Sequence, residues 1–135
     1  MRKKTIKYTP SANNRNRIDP LKINMARIFF IVNAIFWFGY GVYIYYDMAV
    51  LNNNTGSADI VTLFVFVNGG IMLFSGIMFG KLKKWIYYFA LAVSAFNTVL
   101  TLLNILDLYF LVSFIIDLLI LWAIVPIYRK YLLNT

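Results

Sequence analysis

Apolar residues in this chain fall into four long blocks, at 28–46, 60–80, 85–106 and 108–128, separated by short polar stretches. The blocks hold 19, 21, 22 and 21 residues. A helix rising about 1.5 Å per residue needs about 20 residues to cross a hydrocarbon layer of roughly 30 Å. No block contains Lys, Arg, His or Glu, and none has the polar outer face that a helix of a soluble protein presents to water. The pattern predicts an all-α integral membrane protein with four transmembrane helices in an antiparallel bundle. Residues 1–19 form a basic tail without apolar periodicity, expected to be disordered, and 20–135 form the four-helix transmembrane domain. The stretch "IDPLK" at 18–22 reads as a helix start. Asp19 would cap the first turn and Pro20 would occupy the first helical position, where its missing N–H is not needed.

Composition sharpens this by exclusion. Hydrophobic residues make up 61% of the chain and charged residues 13%, against roughly 45–50% and about 25% in soluble domains. Cys, His and Glu are all absent, and five aspartates are the only acids. Disulfides, thiolate nucleophiles and His-dependent triads are therefore excluded. No metal site, catalytic residue or cofactor is expected, and an integral-membrane enzyme is a disfavoured third class, since no second acid shares the depth of Asp117.

The net charge of +8 would suggest a nucleic-acid partner if it were spread over a soluble surface, but its placement points to the bilayer. Eight of the thirteen cations precede the first block, Arg2, Lys3 and Lys4 among them. Lys81, Lys83 and Lys84 lie between blocks two and three, and Arg129 and Lys130 follow block four. With four spans these three places share one side of the membrane. The other side, at 47–59 and 106–108, has no cation and carries Asp47, Asp59 and Asp107. The positive-inside rule then puts both termini in the cytoplasm, in the cell membrane if the source is prokaryotic. The named cations are candidates for contact with anionic lipid, and no nucleic-acid partner is expected. Tyr43, Tyr45 and Tyr46 at one rim and Trp85, Tyr87, Tyr88 and Tyr128 at the other fit aromatic belts at headgroup depth.

The candidate chemistry lies in mid-membrane. "YFLVSFIIDLLILWAIVP", 109–126, holds Asp117 with no cation beside it. An Asp at a helix centre costs about 2.5–3.5 kcal/mol on insertion scales, so Asp117 should be protonated or strongly hydrogen-bonded. Asn68 and Asn97 lie within about two residues of their block centres, roughly 3 Å in depth, and are its candidate partners. Asn33 lies about 6 Å to the cytoplasmic side by the same count. In block three Ala90, Ser94, Asn97, Thr101 and Asn104 recur at spacings of four and three, which places them on one helix face. Asn33, Tyr40 and Asp47 repeat at seven in block one, and Ser113 and Asp117 are one turn apart in block four. Such stripes avoid lipid and should meet inside the bundle. Gly69, Gly76 and Gly80 in block two are placed for close helix approach. Pro126 frees the carbonyl of Trp122, so block four should kink or end there.

Two readings of this seam follow. Asp117 with Asn68, Asn97 and Asn33 could bind a proton or cation in a transport path, which makes the protein a homo-oligomeric small transporter or channel. Alternatively, the seam is a polar clamp fixing helix register, and the protein is a non-catalytic accessory or structural subunit docked on other membrane proteins. One acid with three amides is sparse machinery for coupled transport, which favours the clamp.

Overall fold

The computed structural model describes residues 19–81 and 83–132. Four helices, α1 (Pro20–Tyr45), α2 (Thr55–Phe79), α3 (Lys84–Leu103) and α4 (Leu108–Leu132), form a bundle, and no strand occurs among the described residues. All four are long and apolar enough to cross a membrane, so this is a multi-pass membrane protein in contact with lipid. Arg2, Lys3 and Lys4, like the rest of the tail before Asp19, lie outside the described residues.

Local chemistry sets the helix ends. The Asp19 carboxylate accepts from the Leu21 N–H at 3.0 Å, with Pro20 opening α1. The helix therefore starts eight residues before its apolar block. At the far end it does not stop at residue 46. It passes into a π-helical turn, Tyr46–Leu51, so the polar 47–59 stretch is largely helical and the connection to α2 shrinks to 52–54. Asn residues make this possible. The Asn52 side chain donates to the Asp47 carbonyl at 2.9 Å, and Asn53 takes φ 50°, a left-handed conformation that Asn tolerates better than most residues. Asn54 then caps α2 by accepting from the Ser57 N–H at 3.3 Å. Asp107 caps α4 in the same way, accepting from the Tyr109 N–H at 2.8 Å. Helix α4 runs through Pro126 to Leu132 instead of ending there. Loss of a single ladder hydrogen bond is not enough to stop a helix held on both sides of the proline by core residues Ala123, Ile124 and Ile127.

The tightest seam is between α1 and α2, and the α2 glycines make it. A Cβ built on Gly69 would lie 3.2 Å from the Phe38 ring, and one on Gly76 would lie 3.0 Å from the Phe30 Cβ. Gly80 faces the Arg27 guanidinium, and Arg27 Nε donates to the Gly76 carbonyl at 3.3 Å. Apolar helices gain no hydrophobic driving force for pairing in lipid, so backbone approach and dispersion must supply the adhesion. Gly41 on α1 approaches Val65 in the same manner, a contact that two glycines in an aromatic run did not announce, since Gly39 in the same run meets nothing.

The interior is layered. One apolar cluster, around Phe30, Met72, Phe79, Tyr87 and Ile124, fills the end bearing Lys81 and Arg129. A second, around Trp37, Tyr40 and Val65, packs with Tyr109 and Phe110 toward the opposite end. Between them lies a buried polar layer.

Candidate functional site

The polar layer is built from one short side chain per helix, with a few hydroxyls added. Asn33 on α1, Asn97 and Thr101 on α3, and Ser113 and Asp117 on α4 are all buried. Asp117 itself has 0% exposure. Its Oδ1 accepts from Asn33 Nδ2 at 2.7 Å and from Asn97 Nδ2 at 3.0 Å. Its Oδ2 accepts from Asn97 Nδ2 at 2.9 Å, and the Thr101 hydroxyl lies 3.4 Å away. The Thr101 hydroxyl is shared, because it also sits 3.0 Å from the Asn97 carbonyl. Two outer bonds complete the network. Ser113 Oγ donates to Asn33 Oδ1 at 3.1 Å, and Asn68 Nδ2 donates to Asn97 Oδ1 at 2.9 Å. The chain Asn68–Asn97–Asp117–Asn33–Ser113 thus joins all four helices in one layer.

Each of the two central amides is used from both ends. Asn97 and Asn33 accept a hydrogen bond on their oxygens and donate their nitrogens to the carboxylate. A carboxylate offers about four acceptor directions, and here three donor groups from α1 and α3, those of Asn33, Asn97 and Thr101, converge on its two oxygens. An unpartnered polar group would be severe in this medium, and each carboxyl oxygen has at least one donor within reach. The arrangement encloses a carboxylate inside its own bundle and holds four helices at one relative depth.

The sequence-derived residues sort into three groups. Asn33, Asn97, Thr101, Ser113 and Asp117 come together as one network. Asn68 belongs to it but touches Asp117 only through Asn97. Depth counting from the apolar block placed Asn33 off the Asp117 level, whereas it makes the shortest bond to Asp117. The count misleads because α1 begins at Pro20, well ahead of that block. Others of the stripe stay outside the network. Ser94 is buried but bonds back to the Ala90 carbonyl at 2.8 Å. Tyr40 packs in the aromatic cluster, with ring centroids 4.9 Å from Tyr109 and 5.5 Å from Phe110. Asn104 lies past the end of α3, exposed, and donates to the Leu100 carbonyl at 3.2 Å. Periodicity placed it on the stripe, but the helix ends at Leu103 and the face is lost with it. Lys81 and Lys83 are exposed in the turn between α2 and α3, Lys84 is exposed at the start of α3, and Arg129 and Lys130 are exposed in the last turns of α4.

Comparison with protein families, with curated proteins and with solved structures finds no match to this chain.

Proposed function

We propose that this protein is a non-catalytic accessory or structural subunit of a larger membrane complex, and that its Asp117 layer is a register clamp. The observation that carries this reading is the enclosure of Asp117 by its own bundle. Donor groups from α1 and α3 cover both carboxyl oxygens, so a transported cation would have to displace the bundle's own donors. Interhelical hydrogen bonds in membranes average about 0.6 kcal/mol each. A layer of them adds modest stability but strong preference for one helix register, because sliding any helix by a turn breaks several at once.

The same proposal includes threading. The four helices are antiparallel, with both termini cytoplasmic. Paired contacts support the first part: Gly41 with Val65 and Gly76 with Phe30, Phe74 with Phe89 and Asn68 with Asn97, Tyr88 with Tyr128 and Asn97 with Asp117. In each pair of helices residue numbers rise on one as they fall on the other. Cation placement supports the second part, and the exposed Lys81, Lys83, Lys84, Arg129 and Lys130 would then face anionic lipid, each contributing about 1 kcal/mol. The chain has no cysteine, so single introduced thiols report without background. Asn52→Cys is expected to react with a membrane-impermeant maleimide added outside intact cells. Lys81→Cys should react only after permeabilisation, and the reverse pattern would invert the topology.

The subunit reading is tested by gentle detergent extraction of the tagged chain from its own membrane. Co-purification with other membrane polypeptides in a fixed ratio is the expected result. Recovery as a lone monomer or homo-oligomer would end this reading and bring forward the alternative, proton- or cation-linked transport through Asp117.

A further inference from the structure

Of the helix pairs that touch in the bundle, α2 and α3 pack most sparsely. On the Asn104 side of the Asn68–Asn97 bond the space between them is a groove of about 180 Å³. Its walls are Phe64, Val65, Leu100 and Phe110, backed by Trp37. Both ends of the groove are carboxamides: half-buried Asn68 at the level of the polar layer, and exposed Asn104 past the end of α3. Trp37 is 6% exposed, and its indole N–H is buried without a hydrogen-bond partner among the described residues. Phe64 stands 71% exposed at the rim.

Asn68 donates its nitrogen to Asn97, whereas its amide oxygen meets no donor among the described residues; hydrocarbon offers none, so that oxygen calls for protein cover. The polarity of the groove decides between occupants. A lipid is polar at its headgroup and apolar along its chain, so it would match Asn104 and mismatch Asn68. A transmembrane helix that is apolar along Phe64 and Leu100 and carries a hydrogen-bonding side chain at mid-depth matches the whole groove. Polar side chains of this kind join helices in membranes.

We infer that the α2–α3 groove is the docking site for one transmembrane helix of a partner subunit, which presents a Ser, Thr, Asn, Gln, Asp or Glu side chain to Asn68. The inference rests on the accessory-subunit reading and supplies its contact surface.

The test uses the full chain in its own membrane with the photoreactive residue p-benzoylphenylalanine in place of Phe64, and a control with it in place of Trp122, exposed on α4. Light should join the Phe64 position to a membrane segment of a different polypeptide, within one helical turn of a hydrogen-bonding side chain, while the Trp122 position does not form this adduct. Adding Asn68→Leu should lower the adduct yield about threefold, the equivalent of one interhelical hydrogen bond. Leu100→Trp, which fills the groove without touching the Asn68–Asn97 bond, should lower it as well. Adducts mapping to a second copy of this chain or to lipid would overturn the inference, as would yields indifferent to both substitutions. Fixed-ratio partners that crosslink through Trp122 and not through Phe64 would sink the groove and leave the subunit reading standing. A chain that purifies alone removes both.

Discussion

Replacing Asp117 with Ala is expected to destabilise the bundle by about 2–4 kcal/mol. The substitution removes the acceptor for two carboxamide nitrogens, while the Thr101 hydroxyl keeps its backbone acceptors on Asn97 and Thr98. In soluble proteins each buried group so orphaned costs about 1–3 kcal/mol. In membranes the values are smaller, averaging about 0.6 and reaching about 1.7 kcal/mol, because the unfolded helices also find partners in the bilayer. Two carboxamides from two helices lose their acceptor together and a cavity opens beside them, which places the sum between those limits. Asp117→Asn keeps the shape and one carbonyl oxygen, so Asn33 retains its acceptor while Asn97 meets an N–H₂ on its second side. Its cost should be nearer 1 kcal/mol. Unfolding of purified protein in mixed micelles, titrated with a denaturing detergent, separates the two variants. An Ala variant within about 0.5 kcal/mol of the unchanged protein would mean that the polar layer does not hold the bundle.

The ranking of these two variants also separates the clamp from a transport site. A clamp depends on acceptor geometry, so Ala should be clearly worse than Asn for folding. A proton-carrying carboxyl depends on titration, so both variants would abolish flux alike while folding changed little.

The features legible in the sequence were those that a lipid solvent enforces. Spans could be read because every buried backbone group must be satisfied within its own helix, which demands long uninterrupted apolar blocks. Asp117, Asn97 and Thr101 could be placed on inward faces because lipid rejects them, and helical spacing then grouped them. Contacts between helices were less legible. The pairing of Asn33 with Asp117 depends on where α1 begins, which is set by the Asp19 cap and Pro20 outside the apolar block. The helical run across 46–51 is closed by Asn52 donating to the Asp47 carbonyl, Asn53 turning the chain at φ 50° and Asn54 capping α2, although such residues in a row usually mark a loop. Tyr40, Tyr109 and Phe110 form a cluster across two helices that aromatic residues in a membrane protein do not advertise, because aromatic rings are equally at home in lipid. Asn104 shows the limit of periodicity: a stripe extrapolated past the last helical turn says nothing about the side chain beyond it.

Gly76→Leu should destabilise the protein by about 3 kcal/mol, while Gly70→Leu, six residues earlier on the same helix, should change stability by less than about 0.5 kcal/mol. A Cβ on Gly76 meets the Phe30 Cβ at 3.0 Å, the Ile31 Cγ1 at 3.1 Å and the Arg27 carbonyl oxygen at 3.2 Å. Two of these neighbours cannot swing aside, since one is backbone and the other is fixed to it, so α1 itself must move. A Cβ on Gly70 has nothing within 4 Å, and Leu there also favours the helix. Gly76→Ala should fall between, at about 1 kcal/mol. The same detergent titration reads all three, and equal losses at positions 70 and 76 would sink the close-approach account. The seam and the clamp should also be coupled. Phe30 and Asn33 are neighbours on α1, one turn apart, so pushing Phe30 away from α2 disturbs the 2.7 Å bond from Asn33 to Asp117. In a double-mutant cycle, Gly76→Leu combined with Asp117→Ala should therefore cost less than the sum of the two single changes. Strict additivity would show that the glycine seam and the polar layer hold α1 independently.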